Sequence, residues 1–310
     1  MNGITMKHLR YFEALSRHGH FGRAAEACGI SQPALSVQMK ELESLLGAPL
    51  IERGTRRVRL SGLGEALAER AREILRSVDE LGDLVRTSPG ALTGRLRIGV
   101  IPTIAPYFLP GLIKLLGARN PELDIRPRET ITRRLISDLG EGRLDFGVVA
   151  LPISEATLHE EALFDEEFML VRPASDAGKP VPSSDGLREM RLLLLEEGHC
   201  FRDQALAFCN PSTMAARDLM EGSSLSTLVQ MVGAGIGVTL IPEMAVPTET
   251  RSADVSVVHL TAPRPRRTVG MIWRRSSPLA PRLSEIAQML RGADPRRSRG
   301  GLRSGAIDGR

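Results

Sequence analysis

Cysteine is scarce: the 310-residue chain has three, an odd number. That excludes the disulfide framework of a small secreted domain. There is no CxxC pair and no nearby second cysteine or histidine pair. No metal site and no resident cofactor are therefore expected. No apolar run reaches the length of a membrane span, and MNGITMKHLR lacks the apolar core of a signal peptide. The glycines of Gly233-Ala234-Gly235-Ile236-Gly237 follow a helical pattern and precede a strand pattern, the wrong order for a dinucleotide fingerprint. They read as a tight turn. The expectation is a cytoplasmic protein without membrane contact, in a compartment where disulfides are transient, catalytic or sensing.

What is present suits two or three ordinary soluble domains, with 42% hydrophobic and 25% charged residues. The net charge is +4, and the first sixty residues hold an equal excess, nine basic side chains against five acidic. A small basic N-terminal module points to a polyanion partner.

That module reads as a winged helix-turn-helix, residues 1–61. Leu9, Phe12 and Leu15 have helical spacing within Met6 to Arg17. FGRAAEAC (Phe21–Cys28) is a second helix stopped by Gly29, and Cys28 reads as an inert packed residue. Ser31 reads as an N-cap with Pro33 in the first turn after it. The third helix, Gln32 to Leu46, puts Leu35, Met39, Leu42 and Leu46 on one face. Ser31, Gln32, Pro33, Ser36, Gln38 and Lys40 are left for base edges and phosphates in a major groove. Pro49 to Leu60 reads as a basic hairpin, the wing, with Arg53, Arg56 and Arg57 as phosphate or minor-groove contacts.

Residues 62–90 form a linker. Leu67, Ala71, Ile74, Val78, Leu81 and Val85 alternate by four and three, a heptad seam that suits dimerisation or, as the alternative, packing on the helix's own domain. Ser88-Pro89-Gly90 is a hinge. From Leu92 strands alternate with helices, so residues 91–293 read as an α/β domain with parallel sheets. The chain enters a second lobe after Phe164-Asp165-Glu166-Glu167 and returns through VGMIW (Val269–Trp273). Lobe I is about 91–164 and 268–293, and lobe II about 165–267. Residues 294–310 read as a disordered Gly/Arg/Ser-rich tail.

The most informative stretch is LLLLEEGHCFRDQALAFC, residues 192–209. Four leucines mark a buried strand, EEG a turn, and FRDQALAFC a helix. Cys200 therefore sits at a strand-to-helix turn, at or near a helix N-terminus, whose positive end favours thiolate over thiol. His199 and Arg202 flank it. Cys209 lies nine positions on, about 13 Å away if the stretch is helical at roughly 1.5 Å per residue. A disulfide needs Cα atoms within about 7 Å, so joining the pair must remodel the segment.

GHCFRDQALAFC and FGRAAEACGISQPALSVQMKELE resemble the LysR-type transcriptional regulators, and within them the hydrogen-peroxide-sensing OxyR family. IPTIAPYFLP, LFDEEFMLV and PRRTVGMIWRRSSPL extend the resemblance over nearly the whole chain. It implies a two-lobed, periplasmic-binding-protein-like effector domain and a homo-oligomer, dimeric through the linker helix and tetrameric beyond it. It implies a redox pair in which Cys200 is oxidised to sulfenic acid and Cys209 resolves it. It implies a peroxide pocket of Thr103, Thr132, His199, Arg202 and Asp203. It also implies hydrogen peroxide, promoter DNA and RNA polymerase as partners, in the control of oxidative-stress genes by a non-enzyme. Two other readings stand beside it: a LysR-type regulator responding to a small metabolite between the lobes, and a thiol peroxidase. The DNA-binding module counts against the peroxidase, and the charged turn at Cys200 against the metabolite.

Overall fold

The structure is a computed structural model that describes residues 3–52, 58–86, 92–183, 186–187, 190–209 and 220–292. Arg53, Arg56, Arg57, the Ser88-Pro89-Gly90 hinge and the 294–310 tail lie outside the described residues. The chain divides into two units, Met1–Val85 and Arg86–Arg310. Among the described residues, no helix is long and apolar enough to cross a membrane.

The first unit contains α1 (Met6–His18), α2 (Phe21–Ala27) and α3 (Gln32–Leu46), followed by α4 (Gly62–Arg86). Thr5 and His8 cap α1 reciprocally: Thr5 Oγ1 accepts from His8 N and His8 Nδ1 accepts from Thr5 N. Gly29 turns the chain from α2 into α3 with φ 66°, a left-handed conformation that only glycine adopts freely. Phe12, Leu15, Ala24, Leu35, Met39 and Leu42 are buried together. Burying each large side chain contributes about 1.5–3 kcal/mol. An antiparallel bridge between Ile51 and Leu60 closes the base of a hairpin after α3, and Glu52 N donates to Arg59 O. The early part of α4 packs on this core through Leu67 and Ala68, and Ala71 is buried as well. Further along, Ile74, Val78 and Leu81 are exposed, Leu81 by 62%.

The second unit runs β1 (Gly94–Val100), α5 (Ala105–Arg119), β2 (Leu123–Glu129), α6 (Thr132–Gly140), β3 (Phe146–Leu151) and β4 (Leu158–Pro173). Then come β5 (Leu192–Leu195), α7 (Cys200–Cys209), β6 (Met220–Gly222), α8 (Leu225–Gly233) and β7 (Val238–Pro242). The last elements are α9 (Val246–Glu249), β8 (Val255–His259), β9 (Arg266–Arg274) and α10 (Ala280–Gly292). The strand order is β2-β1-β3-β9-β4-β7-β5-β6, with β8 also on β4.

The expectation of parallel sheets holds for β1 with β2 and β3, and for β5 with β6 and β7. It fails at the centre, where β9 is antiparallel to β3, and β4 is antiparallel to β9, β7 and β8. An apolar run gives burial and not direction, so the mixed sheet was not readable from periodicity. β4 passes through both lobes, leaving β9 after Glu167 and joining β7 at Phe168. Two separate cores result. One holds β1, β3, β9, α5 and α10, and the other β5, β7, α8 and the start of α7.

Candidate redox centre and DNA interface

The leucines of β5 are all buried, and the turn after them reaches α7, which begins at Cys200. Gly198 in that turn has φ 100°. A Cβ there would stand 3.3 Å from Ile131 Cδ1, so the turn lies against the residue that leads into α6. Adjacent residues then face different lobes. Cys200 is half-buried and packs against the lobe I core. Phe201 is buried in the lobe II core, edge-on to Phe168 with ring centroids 4.7 Å apart.

An arginine from β9 ties this corner together. Arg267 Nε donates to Glu166 Oε1 at 2.7 Å, and both side chains are fully buried. Its Nη1 donates to Thr103 Oγ1 at 2.8 Å and its Nη2 to Thr103 O at 3.1 Å. Its Cζ lies 5.4 Å from the Phe201 ring centroid, a cation–π contact with the first turn of α7. A charge pair this deep holds only because both partners are hydrogen-bonded; removing one partner costs about 3–5 kcal/mol. This arginine lies within the PRRTVGMIW motif. Its signal was there: 267, 269, 271 and 273 share the inward face of a strand, so a guanidinium enters the core in register with Val269, Met271 and Trp273.

Thr103 and Thr132 sit at matching points, at the ends of β1 and β2 where the chain enters α5 and α6. Thr103 is buried and held by Arg267. Among the described residues, Thr132 Oγ1 is buried with no hydrogen-bond partner, and so is Gln204 Oε1 on α7. Unpartnered buried polar atoms are uncommon, and each calls for an explanation such as an ordered water, an ion or a chemical role. A cavity of about 190 Å³ opens between the lobes, with Thr103, Pro106, Tyr107, Leu195, His199 and Glu249 in its wall. Tyr107 Oη donates to Glu249 Oε1 across it at 2.6 Å. Burial, then the hydrogen bond and charge of Glu249, push the Tyr107 phenol well above its ordinary range; Arg267 pulls weakly the other way.

The other expected pocket residues are placed differently. Arg202 Nη1 donates to Leu195 O at 2.9 Å and Glu221 Oε1 at 2.5 Å, so it braces the ends of β5 and β6. Asp203 is exposed. The side chain of Cys209 lies outside the described residues, but its backbone ends α7. Helix geometry separates the Cys200 and Cys209 Cα atoms by about 13 Å and two and a half turns, which puts them on opposite sides of α7. Cys28 closes α2 and packs on the first unit's core. Burial and the Glu13 charge raise its thiol pKa, with Arg17 opposing. Among the described residues, no group of three or more His, Cys, Asp or Glu could hold a metal ion.

In the first unit, Ser31 caps α3, its Oγ accepting from Ala34 N at 3.3 Å. Gln32, Pro33 and Lys40 are exposed and Ser36 is half-buried. Gln38 Nε2 is committed to Glu41 Oε2 at 2.9 Å. The polar side chains thus gather on the solvent face and early turns of α3, opposite Leu35, Met39 and Leu42.

A capped helix-turn-helix and a two-lobed α/β unit define a LysR-type regulator. The model for bacterial regulatory helix-turn-helix proteins of the lysR family matches residues 6–65, and the LysR substrate binding domain matches residues 89–295. The chain is 42% identical to a probable hydrogen peroxide-inducible genes activator of Streptomyces viridosporus, over 93% of this chain and 94% of that one. It is 38% identical to the DNA-binding transcriptional dual regulator OxyR of Escherichia coli K12, over 93% and 95%. A full-length OxyR variant from Pseudomonas aeruginosa has a similar structure, with TM-score 0.74 and 36% identity over 97% of this chain and 99% of that one. A hydrogen-peroxide-bound OxyR mutant from Corynebacterium glutamicum matches with TM-score 0.64 and 34% identity over 93% and 92%. The chain belongs to the OxyR family of LysR-type transcriptional regulators.

Proposed function

We propose that the chain is a hydrogen-peroxide-sensing transcriptional regulator of oxidative-stress genes, acting on promoter DNA in the cytoplasm. The observation that carries the reading is the setting of Cys200. It is the first residue of a helix, it faces the lobe I core, and its turn abuts Ile131, next to the unpartnered Thr132 hydroxyl.

The Cys200 thiolate attacks one peroxide oxygen. An S–O bond forms as the O–O bond breaks, and the leaving hydroxide takes a proton to become water. Sulfur is oxidised and peroxide reduced by two electrons. Thr132, His199 and the Thr103 hydroxyl held by Arg267 supply hydrogen bonds to the two oxygens. Arg202 keeps the turn in shape, with Asp203 beside it on the exposed side. The Cys209 thiolate then attacks the sulfenic sulfur; the S–S bond forms as the S–O bond breaks, and the leaving hydroxide takes a proton to become a second water. Because α7 keeps the pair about 13 Å apart, the bond forms only as the helix unwinds.

The remodelled lobe II shifts the packing of subunits and the DNA-binding helices. The reading divides the chain into 1–61 for DNA, 62–90 for dimerisation through the exposed seam of α4, and 91–293 for sensing. It takes the assembly to be a tetramer that engages RNA polymerase. Operator contacts come from Ser31, Gln32, Pro33, Ser36, Gln38 and Lys40, with Arg53, Arg56 and Arg57 from the hairpin. A metabolite between the lobes is the weaker reading: about 190 Å³ is below the roughly 300–1,000 Å³ of small-molecule sites.

Stoichiometric peroxide followed by peptide mass spectrometry tests the chemistry. A Cys200–Cys209 link is expected. Cys200→Ser is expected to abolish the peroxide-dependent change in DNA footprint and to keep basal binding. An unchanged response in that variant would overturn the assignment.

A further inference from the structure

The solvent face of α3 carries an apolar residue outside the core clusters of the described residues. Val37 is 61% exposed. At about 100° per residue it stands two positions from both Leu35 and Met39, and so opposite the face they bury. Pro33, Ala34, Lys40 and Glu41, its neighbours three and four positions away, are exposed as well. Nothing in the first unit's core includes it. A β-branched residue also forms helix less readily than alanine, so at this position it lowers helix stability slightly and buries little in return.

Single exposed apolar residues are common, and one alone would carry little. The location is what gives this one a meaning. In a helix-turn-helix the second helix of the motif enters the major groove and presents its solvent face to base edges. Val37 lies in the second turn, about 7–8 Å along the axis from Gln32. It is flanked by groups fit for hydrogen bonds, Gln32, Ser36 and Lys40. It can make no hydrogen bond itself. The major groove offers one apolar group, the 5-methyl of thymine; cytosine, guanine and adenine present only donors and acceptors there.

We propose that Val37 is a specificity-determining residue that packs on a thymine 5-methyl group in each operator half-site. The proposal rests on the DNA-binding reading above and adds which base is selected and by which atom. The flanking polar residues set register on the duplex, and Val37 distinguishes T·A from C·G at one position by burying one methyl group. Burial of one methyl-sized group corresponds to roughly a fourfold change in affinity for each half-site.

The test uses the full chain and duplexes enriched from a random library by binding to it. Each thymine of the enriched site is replaced singly by deoxyuridine, which pairs identically and lacks only the methyl. One symmetry-related position per half-site is expected to lose about fourfold in affinity with the unaltered protein. Cytosine at that position should be partly rescued by 5-methylcytosine. Val37→Ser, at an exposed site where folding is not at risk, is expected to bind thymine and uracil duplexes equally, with the same salt dependence on random DNA. Indifference of the unaltered protein to uracil at every position overturns the proposal. So does equal uracil sensitivity in Val37→Ser. If no sequence is enriched at all, the operator-binding reading falls, and this proposal falls with it.

Discussion

Arg267 Nη1 donates to Thr103 Oγ1 at 2.8 Å, and this fixes what the threonine can do. A hydroxyl has one proton and two acceptor sites. With one lone pair taken by the guanidinium, its proton is directed to another acceptor. A peroxide oxygen gaining negative charge as the O–O bond breaks is such an acceptor. Arg267→Met strands the Glu166 carboxylate in the core, with an expected loss of about 3–5 kcal/mol. Urea denaturation of the full chain measures it. Glu166→Gln combined with Arg267→Met should recover part of that loss while leaving Cys200 oxidation slow. Full recovery of the oxidation rate would show that Arg267 has no part in the chemistry.

Thr132 separates stability from chemistry. Its buried hydroxyl has no hydrogen-bond partner among the described residues. Thr132→Val keeps the shape and removes the unmet group, so stability should stay level or rise by about 1–3 kcal/mol. Peroxide oxidation of Cys200 should slow at the same time, as followed by rapid quench and thiol alkylation. A slower reaction accompanied by a less stable fold would mean that the residue is structural.

Cys28 is expected to stay out of the redox cycle. Its thiol pKa is raised, first by burial, so the nucleophilic thiolate is scarce near neutral pH. Cys28→Ser should leave the peroxide-dependent footprint unchanged. Brief iodoacetamide labelling at pH 7 should modify Cys200 well before Cys28. Equal labelling would contradict the packing at the end of α2.

The Tyr107–Glu249 bond predicts a pH dependence. The phenol pKa is raised in the fold, chiefly by burial. The folded state therefore holds this proton where the unfolded state releases it. The contribution to stability is complete below about pH 10, the unfolded phenol value, and is lost as pH rises toward the folded value. Thermal unfolding should show stability falling above about pH 10. Tyr107→Phe should flatten that slope and lower stability at neutral pH. The chain has two tyrosines, so phenolate absorbance can follow the missing step directly.

Local patterns carried most of the architecture. The bounds of α3 followed from the Ser31 cap and from the spacing of Leu35, Met39 and Leu42. The strand–turn–helix at Cys200 followed from LLLL, EEG and the residues after them. Long-range features were less legible. β4 runs sixteen residues, and its acids at Glu160, Glu161, Asp165, Glu166 and Glu167 broke the apolar pattern that marks a strand. Those acids are used: Glu166 meets Arg267, Glu161 meets Arg291, and Glu167 meets His259 and Arg264. Their partners lie roughly a hundred residues away, beyond the reach of any periodicity. Arg202 stands two residues from Cys200 in the sequence, and its link to Glu221, nineteen residues on, has no local signal.

β4 has a mechanical consequence. At about 3.3 Å per residue it is a ribbon of about 50 Å common to both lobes. It changes partners between Glu167 and Phe168, one residue past the acid that anchors Arg267. Any swing of one lobe against the other twists the ribbon at that point. The guanidinium that grips Thr103 thus sits on the fulcrum, against the ring of Phe201, the residue next to Cys200.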